Sequence, residues 1–118
     1  MIPFQIETSE TGDGIVVVRL AGRLNAVSSP EAKERLKHLA AEASSSLVLD
    51  LSDLSFIDSS GLSALVAGYK AAAEAGGSLK LARMMPQVSE VFSLTHLDRV
   101  FETYPDLETA LSSFSTHG

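Results

Sequence analysis

Apolar residues along the 118-residue chain recur with two periods, and the places where the period changes mark its elements. Residues 3–8, PFQIET, alternate weakly. After the turn TGDG at 11–14, the run IVVVRLAG is β-branched and apolar, as in a strand largely buried on both faces. The two segments predict a β-hairpin. The next segment, SSPEAKERLKHLAAEA, changes period: Ala32, Leu36, Leu39, Ala40 and Ala43 fall at helical spacing, with Glu31 and Arg35 paired on the other side. Ser28 or Ser29 is placed to cap its first N–H groups, Pro30 suits its first turn, and Glu31 would complete a capping box with Ser28.

The pattern then repeats. Ser46–Leu51 is short, apolar and bounded by turn residues, which predicts a central strand. Leu62, Leu65, Val66 and Tyr69 follow at i, i+3, i+4, i+7, and Gly76–Gly77 supplies the positive φ at which such a helix ends. SLKLA at 78–82 completes a βαβ unit. Pro86 opens a helix carrying Val88, Val91 and Phe92, RVFET reads as a short strand, and Pro105 begins a helix with Leu107, Ala110, Leu111 and Phe114. The predicted order is β-β-α-β-α-β-α-β-α. It describes a single α/β domain over residues 1–118, a mixed sheet of four to five strands with about four helices packed on it. The core is expected over about residues 3–114, with the tail 115–118 frayed.

Composition narrows the class. The chain is 45% hydrophobic and 20% charged, which is globular, and no apolar run approaches the roughly 18 residues needed to span a bilayer. A soluble protein is expected. The first residues, MIPFQIETSE, lack the basic and apolar regions of a secretory signal, so a cytoplasmic location is expected. Without cysteine there are no disulfides, thiolate nucleophiles or Cys-based metal sites, and His38, His96 and His117 are too scattered to suggest a metal centre. No cofactor is expected. A formal charge of −6 opposes binding to nucleic acid or anionic lipid, which leaves protein partners.

Candidate chemistry concentrates in SFIDSSG, residues 55–61, where a strand gives way to a helix. Asp58, Ser59 and Ser60 are the residue types that cap helices, and helix-terminal N–H groups with the positive end of the dipole would also tolerate a phosphate there. A serine hydrolase is disfavoured because the local string I-D-S-S-G lacks the G-x-S-x-G elbow and no motif places a histidine as base. Neither GxxxxGK[ST] nor GxGxxG occurs, so a phosphate-cradling loop is absent. Capping and modification both remain open from the residues alone.

The string LVLDLSDLSFIDSSGLSALVAGYKAAAEAGGSLKLA, with GRLN before it and MPQVSEVFSLTHLDRVFE after it, resembles the STAS-domain anti-sigma factor antagonists of bacteria over roughly residues 14–112. Its most specific element is the D-S-S-G-L turn leading into a helix that contains Y-K. The resemblance implies a switch without catalysis of its own. The unmodified antagonist binds an anti-sigma factor that is also a serine kinase of the histidine-kinase-like ATPase type, freeing a sigma factor. Phosphorylation of Ser59, with Ser60 the alternative acceptor, ends that binding, and a PP2C-type phosphatase restores it. The same serine would then cap the helix and accept the phosphoryl group.

Asn25, Asp58, Ser59, Ser60, Gly61, Met84 and Met85 are the partner-contact residues the resemblance implies. Gly61 would give a partner close access to the turn, and Met84 and Met85 would lie in a loop at the same end of the sheet. Two positions depart from the family pattern. Asn25 stands where the family commonly has Asp, and His96 stands where it often has the Gly that ends the third helix, so His96 is expected in a left-handed conformation. A non-catalytic STAS accessory subunit of a lipid transporter or of a stress-signalling assembly is the alternative reading, and the intact D-S-S-G favours the switch.

Overall fold

The computed structural model describes residues 3–42 and 46–115. Its strands are β1 (Gln5–Glu10), β2 (Val16–Leu24), β3 (Ser46–Ile57), β4 (Ser78–Ala82) and β5 (Thr103–Tyr104), arranged in that order in one sheet. β1 and β2 form the hairpin, antiparallel, and every later pairing is parallel. Helices α1 (Ser29–Ala41), α2 (Ser59–Glu74), α3 (Pro86–Leu94) and α4 (Leu107–Ser112) complete the single α/β unit.

Alternation along the central strands divides the core between two faces. Val18, Leu20, Leu47, Leu49, Leu51, Leu79 and Leu81 meet Leu36, Leu65, Val88 and Phe92 from α1, α2 and α3 on one face. On the other, Val48 and Ala82 meet Ala110 of α4, with Tyr104, Leu107 and Phe114 packed beside them. Because β3 is covered on both sides, Leu47–Leu51 are buried in succession, Asp50 among them. Where α4 does not reach, ionic contacts cover the second face: Arg19 Nη1 lies 2.9 Å from Glu7 Oε1, and Arg19 also pairs with Asp53. Lys80 is buried on this face, its Nζ donating to Ser113 Oγ at 2.7 Å and lying 4.2 Å from the Phe114 ring centre.

Two helix ends form as the sequence predicts. Gly76, at φ 88, terminates α2, and the Gly77 N–H donates to Ala72 O at 2.8 Å. His96, at φ 63, follows α3 in the left-handed region. Other boundaries differ. β3 continues six residues past Leu51 to Ile57, because β2 pairs with it as far as Leu24↔Ile57 through register shifts at Arg19/Ala21 and Gly22/Arg23. RVFET contributes only Thr103 to β5. Its Phe101 is a core residue instead, edge-on to Tyr69 at 5.2 Å and to Phe92 at 5.6 Å, and the 3-10 turn Leu97–Arg99 leads into it.

α4 starts at Leu107 and not at Pro105, since Asp106 caps it by accepting from Thr109 N at 2.7 Å. Hydrogen bonding from Thr109 holds the Asp106 carboxyl below the usual carboxylate range. In α1, Ala32, Leu36 and Ala40 are buried and Leu39 is half-buried, whereas Ala43 lies outside the described residues, as do 116–118 of the tail. Glu31 and Arg35 make no ion pair among the described residues, and at the end of the helix His38 Nε2 lies 3.1 Å from Glu42 Oε2.

Leu65 is fully buried where α2 meets the sheet. Leu65→Ala should therefore cost roughly 2–5 kcal/mol by leaving a cavity, read by chemical denaturation.

Candidate functional site

Because β2, β3 and β4 run parallel, their carboxyl ends share one end of the sheet, and the chain segments leaving them build the site. Leu24 and Ile57 are register partners, so Asn25 and Asp58 leave the sheet side by side. Asp58 is extended (φ −121, ψ −169) and caps α2, its Oδ1 accepting from Gly61 N at 3.1 Å. This assigns capping to the carboxylate and corrects the expectation that one serine would do both jobs. Ser59 opens the helix and is exposed, and Ser60 is half-buried. Neither hydroxyl makes a hydrogen bond among the described residues. Separating the cap from the serines leaves Ser59 Oγ free for chemistry from outside.

The end of β2, from which the β2–α1 loop starts, is bound into this turn. Asp58 N donates to Leu24 O at 3.3 Å. Within the loop, Asn25 Oδ1 accepts from Val27 N at 3.0 Å and Ser28 N at 3.2 Å, an Asx turn. Ser28 Oγ accepts from Asn25 N at 3.0 Å and donates to Arg23 O at 2.7 Å, while Ser29 Oγ donates to Asn25 O at 2.6 Å. The buried hydroxyls of Ser28 and Ser29 thus knit the loop and do not cap α1, so the capping box expected with Glu31 does not form. The loop uses Asn25 for its acceptor oxygen. A carboxylate would supply the same oxygen, so an aspartate at this position would add charge and keep the turn.

Gly61 is buried, and its place is set by this packing. A Cβ there would lie 2.6 Å from Leu24 O and 2.7 Å from Ile57 Cγ1. The close approach that glycine permits is therefore made by the protein's own strand ends, Leu24 of β2 and Ile57 of β3.

Met84 and Met85 lie in the β4–α3 connection, both half-buried, with Met84 packed against the core. Arg83, at φ 63, turns the chain into that connection, and its guanidinium lies 3.6 Å from the buried Asp50 carboxylate. Gln87 Nε2 donates to Ser55 O at 3.5 Å, tying the connection to the end of β3. The methionines therefore sit at the same end of the sheet as Ser59. An open groove of about 470 Å³ runs between α1 and α2 beside the turn, lined by Ala26, Ser29, Lys33, Ser60 and Ser63 among others.

α1 and α3 begin at this end, so His38, late in α1, and His96, after α3, lie toward the far end, and among the described residues Ser59 has no imidazole beside it. Among the described residues no group of three or more His, Asp or Glu is placed to hold a metal ion. Among the described residues no helix is long and apolar enough to cross a membrane.

Comparison with known proteins agrees with this architecture. Residues 7–110 match the model of the STAS domain. The chain belongs to the STAS family. This STAS domain is 33% identical over 87 residues to the anti-sigma-B factor antagonist of Bacillus subtilis, covering 74% of this chain and 79% of that protein. It is 27% identical over 100 residues to the anti-sigma F factor antagonist of Paenibacillus polymyxa, covering 84% and 86%. A crystal structure of an anti-sigma factor antagonist from Mycobacterium paratuberculosis superposes with a TM-score of 0.84 at 29% identity, covering 94% and 93% of the two chains.

Sequence reasoning did not single out Val27, Arg83 or Gln87, all of which shape or border the site. For Val27 a signal was available: an apolar β-branched residue inside a turn that Asn25 and Ser28 already define.

Proposed function

We propose that this STAS domain antagonises an anti-sigma factor and is controlled by phosphorylation of Ser59. The supporting observation is the division of labour at the turn: Asp58 caps α2, and Ser59 stands exposed with its hydroxyl unengaged. In the unmodified state the end of the sheet carrying Asn25, Asp58, Ser59, Ser60, Met84 and Met85 contacts the anti-sigma factor and a sigma factor is freed. The antagonist relatives point to that partner. The partner is also the kinase, of the histidine-kinase-like ATPase type. Ser59 Oγ attacks the γ-phosphorus of ATP, the bond to the bridging oxygen breaks, ADP leaves and the hydroxyl proton passes to a base on the kinase.

The product carries about −1.5 to −2 charges at pH 7, next to the Asp58 carboxylate, in a chain with net charge −6. Repulsion and desolvation then oppose rebinding until a PP2C-type phosphatase removes the group. Both catalytic activities reside in partners, the STAS domain itself is not an enzyme, and the exchange takes place in the cytoplasm. The accessory-subunit reading gains nothing from the relatives, which are named as antagonists.

The test is the intact mass of the protein, with site mapping, after incubation with ATP and an extract of its own host, beside Ser59→Ala. One phosphoryl gain that vanishes in Ser59→Ala is expected. No gain in an extract that phosphorylates another antagonist overturns the proposal.

A further inference from the structure

We infer that Val27 is a specificity-determining anchor for the kinase and anti-sigma partner, an apolar side chain held out on a rigid pedestal to enter a pocket beside that partner's active site. The inference rests on the proposed switch at Ser59. Val27 is 88% exposed, the highest value among the large hydrophobic side chains described. Leu94 and Val100, the others that are markedly exposed, follow the course of α3 away from the site end of the sheet. A large apolar side chain in water at a loop tip does not help the fold.

The loop beneath it is nevertheless fixed. Asn25 Oδ1 binds the N–H groups of Val27 and Ser28, and the buried Ser28 hydroxyl ties the loop to Arg23 O. The loop starts from Leu24, the last residue of β2, whose carbonyl accepts from Asp58 N of the turn and packs against Gly61. Val27 and Ser59 therefore leave adjacent, hydrogen-bonded strand ends.

That coupling says what covers Val27. Phosphoryl transfer requires the γ-phosphorus of ATP at about 3–3.5 Å from Ser59 Oγ, so the kinase surface must lie over this end of the sheet. Val27 is three residues from Leu24, which keeps it within about 20 Å of Ser59 by chain length, inside the roughly 30 Å spanned by a standard footprint of about 800 Å² per partner. A preordered apolar group loses little freedom on docking, the condition under which burial converts into affinity. The partner recognised in this way is one with an apolar pocket flanking its phosphate-transfer site. A kinase with a charged residue at that place is rejected.

The experiment uses the full chain and the purified host ATPase anti-sigma factor whose binding Ser59→Asp weakens. Val27→Ala is expected to lower affinity roughly tenfold, from two methylene equivalents left unburied, and to raise KM for Ser59 phosphorylation with kcat unchanged. Val27→Ile should bind like wild type. An unchanged melting temperature in both variants separates recognition from folding, since the side chain contributes no packing. If Val27→Ala binds within twofold of wild type while Ser59→Asp still weakens binding, the anchor is wrong and the switch stands. If no host anti-sigma factor distinguishes Ser59→Asp from wild type, the switch fails and the anchor fails with it.

Discussion

Gly61→Ala is expected to destabilise the domain by about 2 kcal/mol and to lower its melting temperature by roughly 10 °C, although alanine is the better helix former. Propensity alone favours the substitution by about 0.5–1 kcal/mol. Against it stands a Cβ at 2.6 Å from Leu24 O, 2.7 Å from Ile57 Cγ1 and 2.9 Å from Leu24 Cγ. The nearest of these is backbone, and its carbonyl already accepts from Asp58 N, so no rotamer change relieves the contact. Either α2 or the ends of β2 and β3 must shift, and overpacking of that kind costs about 1–3 kcal/mol or more. Gly12→Ala is the control, since nothing lies within 4 Å of a Cβ at Gly12. Thermal and urea unfolding of the two variants decide the matter. Equal stability for both would show that α2 does not pack on Leu24 as described.

That contact also shows which features were legible in the sequence. The helix stop at Gly76 could be read because it depends on one residue type at one backbone angle, and the stop at His96 from the family pattern that the chain resembles. The central place of β3 could be read from its short apolar segment between turn residues, and the D-S-S-G turn from its position after that strand. Features that depend on a segment distant in sequence could not be read. Gly61 is explained by Leu24, thirty-seven residues earlier, and the extra length of β3 by pairing with β2.

Ser28 illustrates competition between local and tertiary bonding. Its hydroxyl had a capping role available by propensity, but Arg23 O and Asn25 N engage it instead. Phe101, in a segment that reads as strand, is claimed by the aromatic contacts of Tyr69 and Phe92. Lys80 reads as the polar position of SLKLA and is instead buried, because Ser113 and the Phe114 ring reach it from the far end of the chain. The division between Asp58 as cap and Ser59 as free hydroxyl also needed coordinates, since either residue type can cap.

Ser59→Asp is expected to weaken binding to the anti-sigma factor by ten- to a hundredfold, and phosphorylated Ser59 by a hundredfold or more, while Ser59→Ala binds like wild type. A hundredfold corresponds to about 2.7 kcal/mol, less than the 3–5 kcal/mol that an uncompensated charge costs when buried. The aspartate brings one charge where the phosphate brings nearly two, which orders the two effects. Raising the salt concentration should recover part of the loss by screening repulsion from Asp58, but not the part due to desolvation.

The fold cannot be the cause of the loss. Ser59 is exposed in the first turn of a 16-residue helix, where a negative charge is favoured by the dipole, so the acidic variant should melt no lower than wild type. Titration calorimetry beside thermal melts therefore separates the site from the scaffold. Wild-type affinity for Ser59→Asp, with the melting temperature unchanged, would mean that added charge at Ser59 does not drive the switch, and that phosphorylation would have to act by changing the shape of the β2–α1 loop.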